Sequence, residues 1–110
     1  MSGVDLAKKS CIPCKGDTPP LTLEQAIEFL AEIPNWELVG ADRLERSWSF
    51  DNFADALAFV NVAGGVCEQE NHHADFELGW GRVDAKIWTH KIGGLTESDF
   101  ILAAKIDEVC

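Results

Sequence analysis

Apolar and polar residues along this chain change period four times, and each change marks a boundary between elements. Ala26, Ile27, Leu30 and Ala31 recur at helical spacing behind Thr22, which has Gln25 three residues on, the spacing of a capping box. This predicts a helix over Leu23–Ile33, stopped by Pro34. Trp36–Val39 and Arg43–Phe50 then read as two strands around Gly40-Ala41-Asp42. In the second strand Leu44, Trp48 and Phe50 share one face, and Glu45, Ser47 and Ser49 share the other. Arg46 falls on the apolar face, where its alkyl stem is expected to cover the core while its head reaches solvent.

Asp51 or Asn52 can cap a second helix, the longest, whose stripe is Phe53, Ala56, Leu57, Val60, Ala63, Gly64 and Cys67 and which ends near Glu70. Gly64-Gly65 inside it disfavours helix by on the order of 1 kcal/mol per glycine. The pair implies a bend or the close approach of another backbone, and close packing against a neighbouring helix, of this or another subunit, is the preferred account. Phe76, Leu78 and Trp80 alternate with Asp75, Glu77 and Gly79. After a turn near Gly79–Gly81, Val83, Ala85, Ile87 and Thr89 alternate with Arg82, Asp84, Lys86, Trp88 and His90. Gly93-Gly94 ends that pattern. Thr96 caps a third helix carrying Phe100, Leu102, Ala103, Ala104, Ile106 and Val109, with Asp99 in capping-box position. The order helix, two strands, helix, two strands, helix, with one-sided strands, predicts an α+β fold: a four-stranded antiparallel sheet with three helices on one face.

A length of 110 residues implies one domain over residues 21–110 behind an extended lead segment, residues 1–20, that is stiffened by Pro19-Pro20 and lacks apolar periodicity. Its composition places it outside the core, draped over the domain. No apolar run approaches the roughly 20 residues of a bilayer span. The first residues show no signal-peptide pattern, so a cytoplasmic, reducing setting is expected. The net charge is −10; three lysines against Asp5 give residues 1–15 a charge of +2 and leave −12 for the rest. Nucleic acid and anionic membranes, which bind clustered Lys and Arg, are disfavoured as partners. Of Cys11, Cys14, Cys67 and Cys110, only Cys11 and Cys14 form a spaced motif, and without a second such pair or a strand-helix unit to place it, it reads as a tolerated thiol pair.

All three histidines lie in one stretch. His72 and His73 stand where the helical period gives way to alternation, and His90 closes the hairpin that can fold back over that junction. Three readings are open: satisfied or surface polar residues, a three-histidine zinc site, or general acid/base chemistry with binding of a planar polar ligand. Adjacent residues in an extended segment point to opposite sides, which suits a single metal poorly. Trp88, on the same strand face as His90, offers a ring on which a planar ligand could stack.

Glu68, His72-His73, Trp80, Trp88-Thr89-His90 and Gly94-Leu95-Thr96-Glu97-Ser98-Asp99, with Trp36, Arg46, Trp48, Phe50, Phe53, Leu57 and Phe59 upstream, resemble the pterin-4a-carbinolamine dehydratase family over residues 20–110. The resemblance implies elimination of water from 4a-hydroxytetrahydrobiopterin to quinonoid dihydropterin, which a reductase recycles for an aromatic amino-acid hydroxylase. It implies His72, His73 and His90 as the catalytic set, with acid and base roles open, and Glu68, Trp88 and Asp99 as substrate-binding or orienting residues. It calls for no metal, nucleotide or flavin cofactor, and implies a homodimer or homotetramer. Animal members also serve as dimerisation cofactors of a homeodomain transcription factor, so a non-catalytic binding module is the alternative. One departure stands out: Ala74 replaces the proline that commonly follows the paired histidines, which removes a φ restraint from their segment.

Overall fold

The computed structural model describes residues 6–11 and 19–109. Cys14 and Cys110 lie outside the described residues. The elements are a 3-10 turn (Leu6–Lys8), α1 (Leu23–Leu30), β1 (Glu37–Val39), β2 (Arg43–Ser49), α2 (Phe53–Glu70), β3 (Asp75–Gly79), β4 (Arg82–Ile87) and α3 (Glu97–Glu108). The strands form one antiparallel sheet in the order β1-β2-β4-β3, covered on one face by the three helices. The α+β architecture is the one the periodicity implied.

Register sets the two faces of the sheet. Leu44 pairs with Ile87, Arg46 with Ala85 and Trp48 with Val83, while Phe76 and Leu78 flank Ala85 and Val83 from β3. These rows meet the helices, where Val83, Ala85 and Ile87 are buried beside Leu44 and, from α3, Phe100, Leu102, Ala103 and Ile106. The opposite face carries Glu45, Ser47, Asp75, Glu77, Asp84 and Lys86 along an open trough.

Several expectations required correction. α1 ends at Leu30, not Ile33: Glu32 and Ile33 close i to i−3 turns on Phe29 and Leu30, and helical conformation is disfavoured for the residue before Pro34. Its buried face is Ala26 with Phe29 and Leu30 behind it, Phe29 lying 5.3 Å from Phe100, while Ile27 is exposed. The face of α2 is also displaced. Ala56, Phe59, Ala63 and Cys67 are buried, Phe53 and Leu57 point outward, and Phe59 packs on Trp48 and Phe50. A Cβ on Gly64 or Gly65 would meet nothing within 4 Å, so no backbone among the described residues exploits them. Trp80 does not continue the row of Phe76 and Leu78; it sits at the hairpin tip, 69% exposed. Val109 lies beyond the end of α3 and is exposed.

Arg46 does not send its head to solvent. Its Nη1 pairs with Asp107 Oδ1, its guanidinium lies 4.8 Å from the centre of the Trp48 ring, and Trp36 Nε1 donates to the same Asp107 oxygen at 2.9 Å. The lead segment departs from its expected place too. Leu6 is 2% exposed and belongs to the core, and the residues around it form a 3-10 turn against α3.

Candidate active site

The site begins at the C-terminal end of α2. Asn71 adopts a left-handed conformation (φ 52°), and its N–H donates to the carbonyls of Cys67 and Glu68. The N–H of His72 then donates to Cys67 O at 3.2 Å. These cap hydrogen bonds fix the backbone that enters the histidine pair, so the segment is held without the proline that Ala74 replaces. The Cys67 thiol is pushed above its ordinary pKa by burial and serves as a small apolar group beneath this cap.

From the cap the two histidines diverge. The His72 side chain turns inward, 14% exposed, and its Nε2 lies 2.6 Å from Oδ1 of Asp99, which is fully buried. Oδ2 of Asp99 accepts from Thr89 Oγ1 and from the Thr96 N–H, each at 2.8 Å. The hydroxyls of Thr89 and Thr96 are 3.1 Å apart. A carboxylate accepts only, so the His72 Nε2–H donates to it, and in the neutral ring this leaves the Nδ1 lone pair for other work. His73 turns outward and pairs through Nε2 with Glu68 Oε2, both side chains more than half exposed.

His90 arrives from the other side. β4 ends at Ile87, so His90 sits beyond the strand, in a turn closed by Thr89 N–H to Gly94 O at 2.9 Å and helped by Gly93 at φ 62°. Its ring lies 4.2 Å from that of Trp88, and its Nε2 is 3.8 Å from Asp75 Oδ2. The Arg43 guanidinium lies 5.6 Å from the Trp88 ring.

His72, His73 and His90 line one cavity of about 320 Å³ together with Asn71, Trp88, Thr89 and Lys91. Glu68 and Asp99 do not line it; each stands behind one histidine. Each imidazole thus faces a different carboxylate, and among the described residues no group of three His, Cys, Asp or Glu side chains is arranged to hold a metal ion. Sequence reasoning overlooked Thr89 and Asp75 as site residues. Thr89 had a signal: it is the one polar member of the otherwise apolar row Val83, Ala85, Ile87. Asp75 had none, because its meeting with His90 depends on the turn after β4.

The arrangement can hold a planar ligand against Trp88 and exchange protons with it through imidazoles poised by carboxylates. Comparison with known proteins gives the family. The family model described as pterin 4 alpha carbinolamine dehydratase matches residues 19–109. A relative from Rubrobacter xylanophilus is 50% identical over 105 residues, covering 96% of this chain and 98% of its own. One from Methylococcus capsulatus is 47% identical over 110 residues, covering 99% and 96%. Both bear the name "Putative pterin-4-alpha-carbinolamine dehydratase". The crystal structure of a transcriptional coactivator/pterin dehydratase from Brucella melitensis superposes with a TM-score of 0.76 at 30% identity, covering 83% of this chain and 98% of that one. A pterin dehydratase-like RuBisCO assembly factor of the alpha-carboxysome shares the fold, with a TM-score of 0.58 at 19% identity over 68% of this chain and 88% of that one. With the family model matching from Pro19 to Val109, this chain belongs to the pterin 4 alpha carbinolamine dehydratase family.

Proposed function

We propose that the protein is a 4a-hydroxytetrahydrobiopterin dehydratase, and the observation that carries this is the convergence of three histidines, each with its own carboxylate, on one cavity beside Trp88. In the reaction the C4a–O bond breaks, the hydroxyl leaves as water after gaining a proton, N5 loses its proton, and the N5 electron pair completes the C4a–N5 double bond. Electrons come from the substrate itself, so the protein need only move protons. His72 is assigned the proton from N5: buried Asp99 stabilises the imidazolium that forms when Nδ1 takes it up. His90, across the cavity, is assigned delivery of a proton to the departing hydroxyl, with Trp88 as the stacking surface. His73, held by Glu68, completes the polar wall.

The quinonoid product must be reduced before a hydroxylase can use it again, so the proposed role includes a reductase and an aromatic amino-acid hydroxylase as functional neighbours, in the cytoplasm. The exposed apolar side chains Phe53 and Leu57, one turn apart on α2, are the surface on which we place a homo-oligomeric contact. They are also what a non-catalytic binding module of this fold would use. One assay separates the two readings: the 4a-carbinolamine is generated chemically and its dehydration followed with and without protein. The dehydratase reading requires acceleration over buffer that His72→Ala removes; dehydration at the buffer rate would overturn it in favour of the binding module.

A further inference from the structure

We propose that residues 6–11 form a strap that positions the His72–Asp99 couple by tying the C-terminal end of α2 to the N-terminal end of α3. The segment precedes the residues matched by the family model, and the proton chemistry above gives it no part. The couple it serves spans two elements, with His72 two residues beyond α2 and Asp99 in the first turn of α3. A displacement of about 1 Å between such elements can cost on the order of a hundredfold in rate.

The strap touches both ends. The Cys11 N–H donates to Glu70 Oε1 at 2.9 Å, on the last residue of α2. The Cys11 thiol donates to Ser98 O at 3.5 Å, on the residue before Asp99. Lys9 Nζ meets Glu97 Oε2 at 2.7 Å, one residue earlier. Lys105 of α3 then links the two layers: its Nζ donates to Ala7 O at 2.8 Å and lies 3.7 Å from Glu70 Oε2. Glu70 and Lys105 are mostly buried, 12% and 20% exposed, so backbone groups of the strap supply hydrogen bonds that water cannot readily replace. Leu6 anchors the segment in the core. Burial, reinforced by the Glu70 charge, pushes the Cys11 thiol up to about 12, so it stays an S–H donor well above neutral pH.

The inference rests on the reading of His72 and Asp99 as a proton-handling couple, and full-length point variants test it. Glu70→Ala removes the acceptor of Cys11 and the partner of Lys105; Glu70→Gln keeps the former. Steady-state kinetics well below the melting temperature should show kcat lowered about tenfold in Glu70→Ala with KM nearly unchanged, and largely restored in Glu70→Gln. In ¹⁵N NMR the His72 Nε2 proton should exchange faster in Glu70→Ala, with the His73 and His90 signals unmoved. Leu6→Ala, which loosens the anchor instead of the hydrogen bonds, should act in the same direction. Variants that melt earlier but retain both kcat and the His72 proton signal would reduce the strap to a core-covering segment and overturn the proposal. Should His72→Ala leave dehydration untouched, the assigned reaction fails, while the exchange measurement still decides whether the strap holds the couple.

Discussion

Two ways of supporting an imidazole sit within one cavity. His72 has behind it a carboxylate with no exposed surface, whose two oxygens are both engaged, by His72 on one side and by Thr89 and the Thr96 N–H on the other. His73 has behind it Glu68, 80% exposed, at a helix surface where water competes for every hydrogen bond. His90 is intermediate in kind, since its carboxylate is exposed and 3.8 Å away but its ring rests on Trp88. Coulombic attraction in a buried site is screened far less than at the surface, so Asp99 should govern its histidine while Glu68 barely governs its own.

The largest effect should come from the histidines. His72→Ala should lower dehydration by about 10² to 10⁴-fold, the usual contribution of a positioned acid or base, and His90→Ala by about 10²-fold, near the bottom of that range. Stopped-flow dehydration kinetics on the folded variants measure both, and equal, slight losses would erase the distinction between the two walls. Asp99→Asn comes next. An amide can satisfy His72 or the Thr96 N–H but places an NH₂ group against at least one donor, so activity should fall roughly 10²-fold. Unfolding stability should fall by about 2 kcal/mol, measured by urea denaturation. Glu68→Gln should cost at most about fivefold in rate, the equivalent of roughly 1 kcal/mol for an exposed pair, with no change in stability. If Glu68→Gln proved as damaging as Asp99→Asn, burial would not be what distinguishes the two couples.

The smallest effect concerns pH. The Cys11 thiol rises from 9.0 to about 12 on folding, chiefly by burial and then by the Glu70 charge. Between those values the unfolded chain has released a proton that the folded chain retains, so this contribution is fully present below pH 9.0 and is lost as pH climbs toward 12. Melting temperatures recorded above pH 9.0 should therefore fall less steeply for Cys11→Ser than for wild type. A residual decline is expected, because burial raises the Cys67 thiol as well.

Much of this architecture is written locally. The change from helical to alternating period between Cys67 and Phe76 located the histidine pair at a junction, and the Thr22–Gln25 box located the start of α1. The face of α2 was harder to read, because Phe-Ala-Asp-Ala-Leu-Ala-Phe-Val-Asn-Val-Ala is apolar around most of its circumference. Periodicity cannot then choose between Phe53 with Leu57 and Phe59 with Ala63. The sheet chose, since Trp48 and Phe50 offer Phe59 a ring surface.

What the chain determined by itself is therefore whatever depends on neighbours within a turn or two: the order of elements, the caps, the alternation of β4 and the presence of three histidines near one junction. Tertiary structure decided which neighbours those groups met. That His72 turns inward to Asp99 while His73 turns out to Glu68 follows from the left-handed cap at Asn71 and the docking of α3. Arg46 found Asp107, 61 residues away, and residues 6–11 found both ends of the His72–Asp99 pairing across a separation of up to 88 residues. Hydrogen bonds and ion pairs act over a few ångströms of space without regard to distance along the chain. No local pattern records them, and only the packed arrangement of helices on the sheet brings such partners within reach.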